Sequence, residues 1–377
     1  MHRVLVVAAR LALLLATALS AAPRRPEPGI ARVGFVFSQS GPAGVYGASQ
    51  RRGTELAIET LNAAAGPSEP RLEPLLRDDR GDPAEGEKLF KKLSRSEKVL
   101  AIVGPTLSGT AFAADPIAQH DGLPVLAVSN TAAGVTAIGD FIFRDSLTEA
   151  VVIPGAVQTI HAATPLGSAA LIYQTADAYT LGAAQAFRDA ALSVGIPLLT
   201  EQTFAAGDTD FSAQLTAIRN LAPSAVFIAS FAAQGAAIVR QVRDLGFPAS
   251  TVLVGGNGLN SPAFLQLGGS AAEGVFVGAA WNAQEPSAAS QAFVAAYQQR
   301  FGSTPDQFAA QAYAGVQILW EALRSAPRLE REAVRDALAA IHDLPTVLGS
   351  FSFTDGRDAQ HPPVVQVVQG GAFALYP

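Results

Sequence analysis

Eight short runs rich in β-branched and other apolar residues alternate along this chain with longer, alanine-rich segments of helical spacing. The runs fall at 32–37, 72–77, 100–103, 124–128, 169–173, 224–229, 251–254 and 274–278; helical segments at 49–64, 83–94, 110–120, 181–194, 211–221 and 234–245 separate most of them. Parallel strands need crossovers of that length, and nearly continuous apolar strands are those covered on both faces. The alternation therefore predicts an α/β fold with parallel central sheets flanked by helices. Three more helices are predicted at 288–300, 305–324 and 329–341. With 377 residues, 49% of them hydrophobic, the chain can build two such sheets, each with its own core.

The N-terminus predicts export. Met1-His2-Arg3 precedes an apolar stretch around 11–16, and small residues follow at 18–22, the order of a secretory signal peptide with cleavage near Ser20 to Ala22. Pro23, Pro26 and Pro28 behind it argue against a core helix. Residues 1–22 are therefore set apart from the fold. No later stretch reaches the roughly 20 uninterrupted apolar residues of a membrane span. The chain has no cysteine, hence no site for an N-terminal lipid and no disulfide. A freely diffusing periplasmic protein is expected, not anchored by lipid. Cleavage would remove Arg3 and Arg10 and take the formal charge from −6 to −8, with the acids scattered. Nucleic acid, which wants a basic face, is excluded as a partner.

Catalytic signatures are missing by residue type. No Gly-Lys-Ser/Thr marks a phosphate loop, no Gly-x-Ser-x-Gly a nucleophile elbow and no His-Glu-x-x-His a zinc helix. The cluster Gly255-Gly256-Asn257-Gly258 lacks the third glycine of a dinucleotide fingerprint. His120, His161, His342 and His361 lie far apart. Asp82-Pro83-Ala84-Glu85 reads as a helix start, with Asp82 as cap and Glu85 closing a capping box. Asp78 and Asp79 read as a solvated turn, since no third oxygen ligand follows at calcium-loop spacing. No cofactor, metal or enzymatic activity is expected.

What remains is a set of loops at predicted strand ends, where parallel sheets bind ligands. Ser38-Gln39-Ser40-Gly41-Pro42-Ala43-Gly44-Val45-Tyr46-Gly47 carries hydroxyls and a tyrosine but nothing reactive. Gly104-Pro105-Thr106-Leu107-Ser108-Gly109-Thr110 and Ser129-Asn130-Thr131-Ala132-Ala133 pair hydroxyls with small residues, beside predicted helix starts whose partial positive charge suits a carboxylate. The competing reading of each loop is a Ser/Thr cap serving only its own helix.

From about Ile30 to its end the chain resembles the leucine/isoleucine/valine-binding type of periplasmic solute receptor for ABC transporters. The resemblance is carried by Ser40-Gly41-Pro42 with Tyr46-Gly47, Asp78-Asp79 with Asp82-Pro83, Gly104-Pro105 with Ser108-Gly109, Phe143-Arg144, and Gly349-Ser350-Phe351-Ser352-Phe353-Thr354-Asp355-Gly356-Arg357-Asp358. The order of these motifs is the signal. It implies two Rossmann-like lobes joined by a three-crossing hinge, the type I periplasmic-binding-protein fold. The lobes would comprise 30–150 with 282–357, and 151–281 with 358–377. It implies a monomer that hands its ligand to a membrane permease. Ser108, Gly109, Ser129, Asn130, Thr131 and Ala132 would hold the ligand's carboxylate. Tyr46 would close over the side chain, and Tyr179 and Phe231 would supply aromatic walls from the second lobe.

Two positions depart from that resemblance. Where amino-acid receptors place a glutamate against the ligand's ammonium, this chain has Asn257, and a hydroxyl usual in the third loop is Ala133. A buried ammonium without an opposite charge is costly. Either Asp177, beside Tyr179, replaces the charge, or the ligand is an aliphatic or aromatic acid or an amide. An exported α/β hydrolase, or a ligand sensor partnering a membrane kinase, are the competing functions.

Overall fold

The computed structural model describes residues 29–377, so the expected signal peptide lies outside the described residues. The chain first builds a five-stranded sheet from β1 (Ile30–Phe37), β2 (Arg71–Asp78), β3 (Ala101–Val103), β4 (Val125–Ala127) and β5 (Ile142–Arg144). Their order is β2-β1-β3-β4-β5, and every pairing is parallel. The crossovers are α1 (Gly44–Ala64), α2 (Pro83–Lys91) and α3 (Ser108–His120). The two-residue period of a strand sorts the side chains between two covered faces. In β1, Ala31, Val33, Phe35 and Phe37 join a core with Leu56 and Ala57 of α1, while Val36 packs with Phe90, Ala111 and Ala114 of α2 and α3.

The chain then crosses to a second sheet. After α4 (Glu149–Ala163) come β6 (Ala169–Gln174), α5 (Ala178–Ser193), β7 (Leu198–Phe204), α6 (Ser212–Asn220), β8 (Ala225–Ala229), α7 (Ala232–Asp244), β9 (Val252–Gly255), α8 (Pro262–Gly268) and β10 (Val275–Ala279). Alternate residues again serve opposite cores. Ile172, Val226 and Ile228 face α6 and α7, whereas Leu171 and Phe227 face α5, where Phe227 stacks on Phe187 at 4.8 Å.

A second crossing returns the chain to the first lobe as α9 (Ala288–Phe301), α10 (Gln307–Ser325) and α11 (Arg331–Ala339). Asp306 caps α10 by accepting the Ala309 N–H at 2.9 Å. Helix α10 packs on α1 so closely that a β-carbon on Gly53 would stand 2.1 Å from the Ala309 carbonyl oxygen. The strands β11 (Leu344–Thr346), β12 (Gly349–Phe353) and β13 (Ala359–Gln360) form a small antiparallel sheet. A third crossing leads to β14 (Val364–Gln369) and β15 (Ala372–Leu375), antiparallel strands that complete the order β15-β14-β10-β9-β8-β6-β7.

All eight predicted runs are strands. The structure adds β5, β7, α4, α8 and the C-terminal strands. Helix α1 begins at Gly44, so Tyr46 lies in its first turn rather than in the glycine-rich loop that precedes it. Asp82 caps α2 by accepting the Ala84 N–H at 2.9 Å, with Pro83 in the first turn, as expected; Glu85 instead pairs with Lys88, so the return arm of the capping box is not made. The turn acids Asp78 and Asp79 accept N–H groups of Gln39, Arg80 and Gly81 and the hydroxyls of Ser40 and Ser38. Among the described residues no cluster of metal-ligating side chains occurs, and no helix is long and apolar enough to cross a membrane.

Candidate functional site

The carboxyl ends of the first sheet's strands carry three loops that bind one another before any ligand is considered. The Ser38 N–H donates to Thr106 Oγ1 at 2.9 Å, and that hydroxyl donates to Gln50 Oε1 of α1 at 2.6 Å. Gln50 Nε2 donates to Ser129 Oγ at 2.8 Å, and Ser129 Oγ donates to the Thr106 carbonyl at 2.6 Å. Asn130 Nδ2 donates to the carbonyls of Pro105 and Thr106. All of these groups are buried, and each has a partner, so the loops are held in one arrangement. Ser129 and Asn130, two of the expected site residues, are committed to this network.

Ser108 behaves differently. It stands at the first turn of α3, whose cap residue Leu107 offers no side-chain bond, and its hydroxyl accepts the Ala132 N–H at 3.3 Å. The serine thus ties the second loop to the third instead of capping its own helix. Gly109 follows it in the same first turn, and a β-carbon there would meet nothing within 4 Å. The third loop is fixed from behind by Arg144 of β5, which is almost fully buried. Arg144 Nη1 donates to the Ala132 carbonyl at 2.7 Å and to that of Asn130 at 3.2 Å, while Nε donates to Asp358 Oδ1 at 2.6 Å. The 354–358 turn thereby reaches the ligand loop through one guanidinium, a planar group suited to several acceptors at once.

Aromatic residues of both lobes meet above these loops. The Tyr46 hydroxyl crosses the cleft, donating to the Gly258 carbonyl at 2.8 Å and accepting the Ala232 N–H at 2.8 Å. From the second lobe, the Tyr179 hydroxyl accepts the Gly258 N–H at 2.6 Å. The two tyrosines thus hold the peptide groups on either side of Gly258, and a β-carbon on Gly258 would lie 2.4 Å from the Ser230 carbonyl oxygen. Phe231 sits 5.3 Å from the Tyr179 ring and 6.1 Å from that of Tyr46. Burial raises the pKa of both tyrosines, leaving them neutral donors. Between these rings and the loops lies a cavity of about 20 Å³ lined by residues that include Thr106, Ser108, Ser129, Asn257 and Phe308. Of the expected residues, Tyr46, Ser108, Ser129, Tyr179, Phe231 and Asn257 line it. A larger groove of about 690 Å³ opens beside it, between α1, α8 and the hinge. No strand-end loop of the first sheet reaches that groove, so the small cavity is where the recognition groups converge.

Two acids complete the picture. Asp177 caps α5, accepting the Thr180 N–H at 2.9 Å, and burial raises its pKa. Glu149, the first residue of α4, went unmarked in the sequence. It is 2% exposed, and neither carboxyl oxygen has a hydrogen-bond partner. Thr131 Oγ1 and the Asn257 N–H approach it and favour its charge, but neither reaches hydrogen-bond geometry. Burial outweighs them and pushes its pKa up to about 7.

Asn257 itself begins a run of carboxamides. Its Oδ1 accepts from Gln307 Nε2; Gln307 Oε1 accepts from Asn260 Nδ2 at 2.8 Å and from the Ala280 N–H at 2.7 Å. Asn260 Oδ1 accepts from Gln366 Nε2 at 2.7 Å, and Gln366 Oε1 from Asn282 Nδ2 at 2.7 Å. The run joins the cleft to the second and third crossings.

Two lobes of parallel sheet, crossed three times, with a seam between strand-end loops and aromatic walls, define a solute-binding receptor. The chain belongs to the periplasmic binding protein family, whose signature matches residues 31–372. It is 26% identical over 333 residues to the Leu/Ile/Val-binding protein BraC3 of Rhizobium johnstonii, covering 86% of this chain and 88% of that one. Among solved structures it is similar to the branched-chain amino acid transporter substrate binding protein LivJ from Streptococcus pneumoniae in complex with isoleucine, with a TM-score of 0.84 and 28% identity over 91% of this chain and 98% of that one. A solute binding protein of an ABC transporter from R. palustris in complex with benzoate shares the fold at a TM-score of 0.83 and 21% identity, covering 92% and 95% of the two chains. The type I fold and the class of ABC-transporter solute receptor expected from the motifs are those of these relatives.

Proposed function

We propose that this protein captures a small carboxylate-bearing solute between its lobes in the periplasm and delivers it to the membrane permease of an ABC importer. The observation that carries the reading is the Ser108 hydroxyl bridging to the Ala132 N–H at the start of α3. It gathers a hydroxyl, backbone N–H groups and the positive end of a helix into one water-poor seam, the usual means of holding an anion without a cation. The second lobe supplies aromatic walls and no nucleophile with an activating base, which favours retention over reaction.

A cavity of about 20 Å³ holds roughly one water. A solute of amino-acid size therefore enters with the lobes apart and displaces Tyr46 from Gly258 and Ala232. Closure by hinge rotation then divides the chain into 30–150 with 282–357, and 151–281 with 358–377.

Thermal denaturation of the mature protein with amino acids, aliphatic acids and benzoates, each beside its uncharged amide, tests the reading. A true ligand stabilises by RT ln(1 + [L]/Kd), about 4 kcal/mol at a thousandfold excess over Kd. The expected result is stabilisation by some carboxylate and not by its amide, without turnover of the solute. Equal response to acid and amide, or chemical conversion of the solute, overturns the proposal.

A further inference from the structure

We infer that the groove beside the cleft is a second ligand site, built for a free organic anion with an apolar body and walled by both lobes. It stands apart from the solute cleft and does not depend on the reading given for it.

The groove's volume of about 690 Å³ lies within the span of small-molecule sites, roughly 300 to 1,000 Å³. Val45 and Ala48 of α1 wall it from the first lobe; Pro262 and Leu265 of α8, with Phe373 of β15, wall it from the second. Val45 is an exposed apolar side chain in a concave place, where an occupant would take it out of water.

The polar groups of the floor are already spent. Asn260, Asn282, Gln307 and Gln366 are buried there, and every amide nitrogen and oxygen among them has a partner, Asn282 Oδ1 by accepting the Gln284 N–H at 2.9 Å. Trp281 Nε1 donates to Ser290 Oγ at 2.9 Å. Asp306 accepts the Ser49 hydroxyl at 2.6 Å through Oδ2 and the Ala309 N–H at 2.9 Å through Oδ1. Such a floor offers contact area but few hydrogen bonds, and a polar body would lose those it made with water.

Arg52, on the α1 side of the groove, is the exception. Arg51 beside it pairs with Glu55 at 2.7 Å, and Arg300 of α9 with Glu59 at 3.3 Å, yet Arg52 has no carboxylate within ion-pair distance among the described residues. Its guanidinium lies 5.8 Å from the centroid of the Phe301 ring, a weak attachment that leaves N–H groups to spare. Its charge reaches Tyr297 and Asp306, but both oxygens of that acid are engaged elsewhere. A guanidinium at one side and apolar walls along the length fit a carboxylate or sulfonate on an apolar body, the head held by paired N–H groups. Because the walls belong to different lobes, an occupant touching both favours this arrangement over one with the walls parted, by the difference in its affinity for the two.

The test is calorimetry with decanoate, below its micellar concentration, beside decyltrimethylammonium, on wild type, Arg52→Gln, Ala48→Trp, Ala263→Trp and Ser108→Ala. Wild type should bind decanoate about 10-fold or more tighter than the cation. Arg52→Gln should weaken decanoate by about 10-fold or more and leave the cation unaffected. Ala48→Trp fills the groove from one lobe and Ala263→Trp from the other, and each should abolish decanoate binding. The exposed Ala48 keeps the test decisive where the half-buried Ala263→Trp does not fold. Ser108→Ala, in the cleft, should leave decanoate affinity unchanged. No binding of decanoate, equal binding of anion and cation, or a loss in Ser108→Ala as large as in Arg52→Gln overturns the second site. Binding that survives either tryptophan overturns the bridging of the lobes.

Discussion

Replacing Glu149 with glutamine should make the ligand-free protein more stable in alkaline solution, by an amount set by the burial of this one carboxyl. Carrying its pKa from an ordinary 4.5 to about 7 disfavours the charged form in the folded state by about 3 kcal/mol. The folded chain binds this proton more tightly than the unfolded chain, so unfolding releases it between pH 4.5 and pH 7. Stability accordingly falls as pH rises through that window, with no penalty below 4.5 and the full penalty above 7. The titratable group found against Glu149 is Tyr179, which burial pushes upward so that it stays neutral throughout. Glutamine has no proton to lose. Urea unfolding followed by tryptophan fluorescence at pH 4.5 and pH 8, on wild type and Glu149→Gln without ligand, isolates the effect. Asp115 and Asp145, buried acids raised in the same direction, are common to both proteins and cancel. The gain of the variant over wild type should be larger at pH 8 than at pH 4.5 by about 3 kcal/mol. A gain that is the same at both pH values refutes the reasoning, because it would mean that Glu149 ionises as freely in the folded chain as in the unfolded one.

Asp358→Ala should cost about 3 kcal/mol and lower the melting temperature, since it strands the buried Arg144 cation that holds the third loop; an unchanged melting curve would show that the pair contributes nothing. Ser108→Ala should weaken the preferred carboxylate by about 10-fold or more while leaving the lobes folded, measured by calorimetry beside circular dichroism. His361, buried in the third crossing with its pKa lowered to about 4 by loss of solvation, binds protons more readily when the chain unfolds. Stability should therefore fall as pH drops from 6.5 towards 4, and His361→Asn should remove up to about 3 kcal/mol of that loss, read from urea midpoints across the range. Tyr46→Phe strands the Gly258 carbonyl and the Ala232 N–H, and small-angle scattering of the ligand-free variant should report a larger radius of gyration than wild type; equal radii would deny Tyr46 a part in holding the lobes together.

Strands such as β3, β4 and β8, which the sequence announced, are apolar runs buried along their whole length, whereas β2, at the sheet edge, was announced although Glu73 and Arg77 interrupt its apolar residues. The elements it hid lack that mark. Strand β7, Leu198–Phe204, lies at a sheet edge and carries four polar residues in a row, Thr200 to Thr203, and β5 is three residues ending in a charged arginine. Helix α4 is masked by Pro154 within it. At the site, the loops could be found from hydroxyls and small residues at strand ends, but the division of labour could not. Nothing in the residue types separates Ser108, which bridges two loops, from Ser129, which is locked into their scaffold. Glu149 was hidden for a related reason. An acid opening a helix before an apolar run reads as an ordinary first-turn charge, and only the tertiary approach of Tyr179 and Asn257 takes its water away. Asp177 was the reverse case, an acid placed in a suggestive loop whose oxygen turns out to serve its own helix.

The carboxamide run from Asn257 to Asn282 is built wholly from side chains that carry no charge and do not titrate. In the periplasm, the location proposed above, acidity and salinity follow the medium, and a clasp of ion pairs would loosen or tighten with every change of it. Asparagine and glutamine hand the same hydrogen bonds from one to the next in brine or in dilute acid. The seam between cleft and crossings can thus keep a constant grip while the sensitivity to surroundings is confined to the few buried acids and the one histidine around it.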